Sequence, residues 1–193
     1  MTKPVTNWQA RYESGETGWD IGQVSTPLKE YFDQLSDKSI RILIPGCGNA
    51  YEAAYLHEQG FKNIFLLDIA PKPLEDFALR NPSFPKSHLI EENFFDHNEQ
   101  YDLIVEQTFF CAISPKHRAA YAKKAHELLK PNGKLMGLLW SVPMNETIPP
   151  FGGNKEEYHK YFDPYFSYVH FDESFNSIKP RAGKELFLCA KKK

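Results

Sequence analysis

The chain has 193 residues and a formal net charge of −2 at pH 7, with a pI near 6.4. That length predicts one domain, residues 1–193, with a sizeable core, and the charge excludes the basic footprint of a nucleic-acid-binding protein. The three cysteines show neither metal-binding spacing nor a C-x-x-C pair, which favours a reducing, cytoplasmic compartment and no metal site. No apolar leader follows Met1, and no segment approaches about 18 consecutive apolar residues, so neither a signal peptide nor a membrane span is predicted. We expect a monomer.

The first segment with a clear pattern is aromatic and lies in an N-terminal arm, about residues 1–36. Trp8 and Tyr12 stand four apart, so one helical turn places them on the same face. Trp19 follows after two glycines. Rings of this size are costly to leave in water. Two interpretations stay open: the arm is fastened to the core, which chain position favours, or it closes over a flat ligand.

The chain is organised around residues 40–53. A predicted helix from Thr26 to about Leu35 precedes an aliphatic run that ends in Pro45-Gly46-Cys47-Gly48, and helix-forming residues follow at once. Gly46 permits a backbone angle that side chains disfavour, and Gly48 lets a ligand approach the main chain. Free N–H groups at the helix start can then bind the ligand's polar edge. An ordinary strand-to-helix loop is the alternative, because a lone Gly-x-Gly is a weak signal.

An acid follows at an informative distance. Asp68 ends the next apolar run, 22 residues after Gly46, which is the spacing at which a strand-two carboxylate meets ribose hydroxyls in a doubly wound sheet. Tyr51 occupies the place where a dinucleotide fingerprint needs a small residue. This disfavours an NAD-dependent oxidoreductase and favours a nucleoside ligand without phosphates, of which S-adenosylmethionine is the common one. The alternative for Asp68 is a cap on the next helix.

The remaining pattern predicts an α/β fold. Five strand–helix alternations indicate a doubly wound, mostly parallel sheet with helices on both faces, and two late strands without a full helix between them predict an antiparallel hairpin at one edge. The seven predicted strands are residues 40–44, 63–68, 87–90, 101–106, 133–140, 166–171 and 186–190. Ser114-Pro115 predicts a capped helix start, and the final three lysines are interpreted as a frayed terminus.

Further candidates lie where predicted strands end, the edge at which open α/β sheets bind ligands. Asn93 can present its side-chain carbonyl to an adenine amino group and Phe94 its backbone N–H, or the pair simply forms a turn. Glu106 ends the fourth strand, and Gln107 directly follows it. Glu106 and Arg118 can orient a substrate or balance its charge, or can form an ordinary ion pair at the core edge.

Taken together, these motifs resemble the class I S-adenosylmethionine-dependent methyltransferases, which are Rossmann-like. Within them the chain is similar to the thiopurine S-methyltransferase family, which includes halide and thiol methyltransferases. The resemblance covers most of the chain and is carried by the following motifs: Trp8-Gln9-x-x-Tyr12-x-x-Gly15-x-Thr17-x-Trp19, Pro45-Gly46-Cys47-Gly48, Asn93-Phe94-Phe95, Tyr101-Asp102-Leu103-Ile104, Phe110-Cys111-Ala112-Ile113 and Pro149-Pro150-Phe151.

The resemblance implies S-adenosylmethionine as the cofactor and S-adenosylhomocysteine as its product. The cofactor contacts that it implies are Trp8, Tyr12, Trp19, Gly46, Gly48, Asp68, Asn93, Phe94 and Gln107. It also implies that the aromatic arm covers the cofactor, against the preference from chain position. Three positions depart from the family: Tyr12 stands where Trp is usual, Asn93 where Asp is common, and Gln107 where some members carry Arg or Tyr, so a substrate-orienting role does not transfer to Gln107.

The acceptor is expected to be a small molecule. Phe109, Phe110 and Cys111 after strand four, with residues 149–151, predict small apolar walls that suit a weakly hydrated thiol, thiolate or heavy halide. Such nucleophiles need no dedicated base, and the sequence identifies none, so positioning and exclusion of water are expected to carry catalysis. A non-catalytic nucleoside-binding module on the same fold remains the alternative.

Overall fold

The computed structural model describes residues 6–193, so the first five residues of the predicted arm lie outside the described part. Two short helices form the arm, α1 (Trp8–Glu13) and α2 (Thr26–Asp33). The elements that follow are β1 (Ile42–Pro45), α3 (Tyr51–Glu58), β2 (Ile64–Asp68), α4 (Pro71–Arg80), β3 (Leu89–Glu91), β4 (Tyr101–Gln107), α5 (Arg118–Leu128), β5 (Leu129–Trp140), α6 (Lys155–Phe162), β6 (Phe166–Glu173) and β7 (Glu185–Lys192).

The seven strands form one sheet in the order β3-β2-β1-β4-β5-β7-β6. The first five run parallel, and β7 lies antiparallel to both β5 and β6. The predicted α/β fold with an antiparallel edge hairpin is therefore confirmed. The strand order reverses between β1 and β4, and ligands of such sheets bind outside the strand carboxyl ends at that point.

Alternation along the strands produces two cores, one on each face of the sheet. Leu43 of β1 and Ile104 of β4 pack against α5 and α6, whereas their neighbours Ile42 and Leu103 pack toward α2, α3 and α4. Because both faces are covered by helices, the central strands carry apolar residues at nearly every position. This explains the continuous aliphatic runs of the sequence.

Three local predictions were wrong. Ser114 makes no capping hydrogen bond, because Pro115–His117 forms a 3₁₀ turn first and α5 begins at Arg118. The fifth strand begins at Leu129 rather than at residue 133, since Tyr101 of β4 pairs with it across a bulge. The C-terminal lysines are not frayed: Lys192 pairs with Phe166, and its Nζ donates to the carbonyl of Leu129 at 2.6 Å.

Candidate active site

A cavity of about 990 Å³ opens at the carboxyl edge of the parallel strands, next to the β1/β4 reversal. Small-molecule sites usually measure about 300–1,000 Å³, so this cavity has room for a nucleoside cofactor and a second small molecule. Its lining combines the arm, the ends of β2 and β3, the segment after β4, the loop after β5 and the β6–β7 connection.

Asp68 reaches the cavity from the end of β2 and is only 6% exposed. Its Oδ2 accepts the N–H of Gly48 at 3.1 Å, and its Oδ1 accepts the N–H of Ala70 at 2.9 Å. Burial raises the pKa of this carboxyl, and the backbone N–H groups oppose that rise. A carboxylate has about four acceptor positions, so both oxygens can still accept hydroxyl groups from a ligand.

The glycine turn is shaped by aromatic side chains of this same chain. Gly46 and Gly48 adopt φ values of 56° and 52°, in the left-handed region. A Cβ on Gly46 would stand 2.2 Å from the ring of Phe109, and a Cβ on Gly48 would stand 2.6 Å from the hydroxyl of Tyr12. The glycines are therefore required for the approach of these rings as well as for the turn itself.

The arm both lines the cavity and is fastened to the core. Trp19 makes edge-to-face contacts with Trp8 and Tyr12, with ring centroids 5.6 and 5.7 Å apart, and all three rings line the cavity. The side chain of Gln9 accepts the N–H of Lys72 at 3.0 Å. The fastening interpretation is thus observed at Gln9, and covering of a ligand by the three rings stays a prediction.

A second set of bonds fastens the arm near the glycine turn. The Oδ2 of Asp20 accepts hydrogen bonds from the side chains of Asn49 and Tyr51, the latter at 3.1 Å. Burial, and after it Asp68, raises the pKa of Tyr12 far above neutrality, so its hydroxyl stays protonated.

Asn93 and Phe94 also line the cavity, in the turn after β3. The Oδ1 of Asn93 accepts the N–H of Phe95 at 3.0 Å, so the turn and a ligand would share this carbonyl. The ring of Phe94 is buried and stacks on Tyr121, with centroids 5.2 Å apart. Only its backbone is thus available for the predicted adenine contact.

Gln107 and Gly48 do not line the large cavity. They lie on an adjoining space of about 50 Å³, which shares Trp19, Asp20 and Gly46 with the larger one. The buried Oε1 of Gln107 finds no hydrogen-bond partner among the described residues. A buried acceptor of this kind normally has a donor, and the α-ammonium group of the cofactor's methionine can supply one. Asp68, the aromatic arm and this unpartnered oxygen fit the groups of the cofactor that the resemblance implies.

The two remaining candidates lie in the core. Glu106 is 1% exposed, and its carboxylate accepts the N–H groups of Phe109 and Phe110 and the hydroxyl of Tyr121, at 2.8, 2.8 and 2.7 Å. Burial raises its pKa to about 7. Arg118 is also 1% exposed. Neither residue lines the cavity, so both position the surrounding backbone.

Arg118 holds the Pro-rich loop whose residues Pro149 and Pro150 line the cavity. Its Nη1 pairs with Glu157 of α6 at 2.9 Å, and its Nη2 donates to the carbonyls of Phe151 and Gly152 at 3.3 and 2.9 Å. The N–H of Phe151 in turn donates to the carbonyl of Cys111 at 2.7 Å. These bonds join the segment after β4 to the Pro-rich loop.

Several residues that line the cavity were not predicted from the sequence. Thr108 directly follows β4 with φ 58°, a rare conformation for a β-branched residue that is typical of functional sites. Trp140 ends β5, Met144 lies in the loop that follows, and Ile178, Pro180 and Arg181 come from the β6–β7 connection. No local pattern could have identified Ile178, Pro180 and Arg181, because only the antiparallel pairing of β7 with β5 brings their connection to this edge.

The comparisons with known proteins agree with this geometry. The model of the family described as thiopurine S-methyltransferase matches residues 4–186. The chain belongs to the thiopurine S-methyltransferase family. It is an S-adenosylmethionine-dependent methyltransferase, as its motifs indicated.

Similar proteins include plant and bacterial methyltransferases. The chain is 34% identical over 184 residues to thiocyanate methyltransferase 1 of Brassica oleracea, covering 92% of this chain and 81% of the relative. It is 29% identical, with the same coverage, to probable thiol methyltransferase 2 of Arabidopsis thaliana. It is 24% identical to thiopurine S-methyltransferase of Nitrosospira multiformis, over 78% of this chain and 77% of the relative.

Solved structures confirm the fold. A 1,6-didemethyltoxoflavin-N1-methyltransferase of Burkholderia thailandensis with bound S-adenosylhomocysteine has a TM-score of 0.78 at 17% identity, over 96% of this chain and 85% of that one. Magnesium protoporphyrin IX methyltransferase of Synechocystis with bound S-adenosylmethionine has a TM-score of 0.74 at 11% identity, over 96% and 95%. In residues 6–193, no helix is long and apolar enough to cross a bilayer.

Proposed function

We propose that this methyltransferase acts on small, weakly hydrated nucleophiles: thiols and their thiolates, thiocyanate, or a heavy halide. The observation that carries the proposal is the lining of the cavity away from Asp68. There the walls are Cys111, Ala112, Ile113, Trp140, Met144, Pro149, Pro150, Ile178 and Pro180, with the charged Arg181 beside them. An apolar surface of this kind removes water from a soft nucleophile at little cost but penalises strongly hydrated oxyanions and phosphates.

The lack of a free base among the described lining residues supports this acceptor class. Within residues 6–193, no histidine or lysine lines the cavity, and its carboxylates, Asp20, Asp68 and Glu92, already hydrogen-bond to other groups of the chain. Burial raises the pKa of the Cys111 thiol to about 12, so this thiol stays protonated and neither attacks nor accepts a proton near neutrality. Glu106 titrates near neutrality, but both of its oxygens are engaged inside the core. Thiolates, thiocyanate and halides carry no proton that must leave, so they need no such base.

The residues of this chain then act by binding and orientation. When bound, S-adenosylmethionine supplies a methyl group activated by its sulfonium. We assign Asp68 to the ribose hydroxyls, Asn93 and the backbone of Phe94 to the adenine, and Gln107 with Gly46 and Gly48 to the methionine end. Trp8, Tyr12 and Trp19 cover the cofactor and exclude water. With donor and acceptor held in line, positioning and desolvation supply the rate enhancement.

The names of the relatives agree with this choice, since they describe thiocyanate, thiol and thiopurine methyltransferases. We further propose a single-domain monomer, with the arm as its cap, that works in the cytoplasm. Three buried cysteines, none of them in a disulfide, support the cytoplasmic part of this proposal.

The direct test offers the purified protein methyl-labelled cofactor with thiols of graded pKa, thiocyanate, iodide, phenols and amines. We expect turnover with the soft nucleophiles, and a rate for each thiol that rises with its ionised fraction. Turnover confined to phenols or amines would refute the soft-nucleophile assignment and leave the methyltransferase activity standing. Protein treated identically without an acceptor measures the background loss of label.

A further inference from the structure

We propose that Arg181 is a positioning residue: its guanidinium holds the backbone of Trp19, and thereby the aromatic arm, closed over the cavity from the acceptor side. This inference rests on the proposed placement of the cofactor beneath the arm. It assigns a role to a residue outside every motif of the sequence analysis.

The contacts of Arg181 join distant parts of the chain. The residue ends a short 3₁₀ turn, Lys179–Arg181, in the β6–β7 connection. Its Nη2 donates to the carbonyl oxygen of Trp19 at 2.7 Å, and its Cζ lies 5.2 Å from the ring centre of Trp140 at the end of β5. The guanidinium therefore lies between the arm and the apolar acceptor wall.

A buried ion pair fixes the direction of this side chain. The Nη1 of Arg181 donates to Oε1 of Glu185 at 3.2 Å, and the two side chains are only 7% and 3% exposed. The other carboxylate oxygen of Glu185 accepts the hydroxyl of Ser177 at 2.8 Å. Glu185 begins β7 opposite Trp140, so the sheet itself anchors the pair.

This geometry gives the pair a use beyond stability. A buried ion pair is weak evidence for stabilisation, because desolvation offsets much of its Coulombic gain. Here the guanidinium presents a second, differently directed donor to a backbone carbonyl of the arm, which the planar fork of arginine allows and a single ammonium group reproduces poorly. Ile178, Pro180 and Arg181 all line the cavity. The β6–β7 connection therefore forms part of the acceptor wall and also holds the arm that covers the cofactor.

The test compares Arg181→Lys with wild type. The lysine retains a charge beside Glu185 and gives up the simultaneous bond to Trp19. Lys179→Met, an exposed change in the same turn, is the matched control. The readouts are amide hydrogen exchange of the arm and of the central strands in the unliganded protein, the Kd of S-adenosylhomocysteine, and kcat and KM for thiocyanate.

For Arg181→Lys we expect arm exchange about ten-fold faster with unchanged exchange in β1 and β4, since a hydrogen bond to a charged group supplies a free energy of this order. The Kd of S-adenosylhomocysteine should rise by a similar factor, and KM for thiocyanate should change more than kcat. A purely structural role would instead accelerate exchange throughout the sheet.

Arm exchange within two-fold of wild type in Arg181→Lys overturns the proposal. If this variant does not fold, Arg181→Met/Glu185→Met, which leaves no unpaired buried charge, provides the same comparison. The exchange measurement needs no ligand. Failure of wild type to bind S-adenosylhomocysteine would therefore refute the proposed cofactor site. The exchange measurement would still decide whether Arg181 holds the arm.

Discussion

The two ends of the cavity are built in different ways. At the Asp68 end, the contacts come from turns that directly follow β1, β2 and β3, and backbone N–H groups hold the carboxylate. At the Arg181 end, the walls come from the loop after β5 and the β6–β7 connection, and they are mostly apolar. One end is thus defined by turns that directly follow parallel strands, and the other by loops, which vary more among related proteins.

The arm lies over both ends of the cavity. The largest effect is therefore expected in the protection of the arm from proteolysis by a bound ligand. If cleavage requires an open arm and the ligand binds only the closed one, S-adenosylhomocysteine at about 100 times its Kd should slow proteolysis near Trp19 by about 100-fold. Limited chymotryptic digestion followed by mass spectrometry measures this. Equal cleavage rates with and without ligand would show that the arm serves only as a fastening.

Asp68→Ala tests the cofactor end alone. Hydrogen bonds to a charged acceptor contribute about 1.5–3 kcal/mol, so the Kd of S-adenosylhomocysteine should rise by about ten- to hundred-fold in calorimetry. Asp96→Ala, an exposed acid in the turn after β3, is the control and should leave the Kd unchanged. An unchanged Kd in folded Asp68→Ala would remove this carboxylate from the site.

Glu106 extends the comparison because, like Asp68, it lies at the carboxyl end of a parallel strand, but its side chain is buried in the core. Burial raises its pKa to about 7, and that of Glu52 likewise, so the folded state binds more protons than the unfolded state above about pH 4.5. The stability contributed by protonation is fully present below the unfolded pKa, and it is lost as the pH rises through about 7. The free energy of unfolding should therefore fall between about pH 5 and 7.

Glu106→Gln should make that fall shallower, by up to about 1.4 kcal/mol per pH unit, while the affinity for S-adenosylhomocysteine stays unchanged. Urea unfolding at several pH values measures the slope. Exposed Glu146→Gln is the control and should keep the wild-type slope. A Glu106→Gln variant with an unaltered slope would contradict the raised pKa.

The smallest effect is expected at the acceptor wall. Met144 is only partly buried, so Met144→Ala should raise KM for thiocyanate by about three- to ten-fold. This is at or below the lower limit of the roughly 10–200-fold discrimination that an enclosing pocket gives for one methylene. The Kd of S-adenosylhomocysteine should not change. Ile148→Ala, in the same loop but 63% exposed, should leave both constants unaltered.

The same contrast explains which parts of the fold and of the site could be predicted from the sequence. The sheet and the Asp68 end were predictable because apolar periodicity, a glycine turn and an acid at fixed spacing are local patterns. The placement of Glu106 was not, since its burial depends on Tyr121 of α5 closing over it. Arg181 left no local signal either, because its partner Trp19 lies 162 positions away and only the order of β5, β7 and β6 joins them.

Simultaneous binding of two ligands tests the two-ended cavity most directly. Wild-type protein is titrated calorimetrically with S-adenosylhomocysteine, with and without thiocyanate at a concentration that saturates turnover, and potassium acetate maintains the ionic strength. We predict an equal or tighter Kd for S-adenosylhomocysteine in thiocyanate, because the acceptor lies at the other end of the cavity and adds contacts to the closed state. Mutually exclusive binding, seen as a Kd that rises in proportion to thiocyanate, would contradict the account.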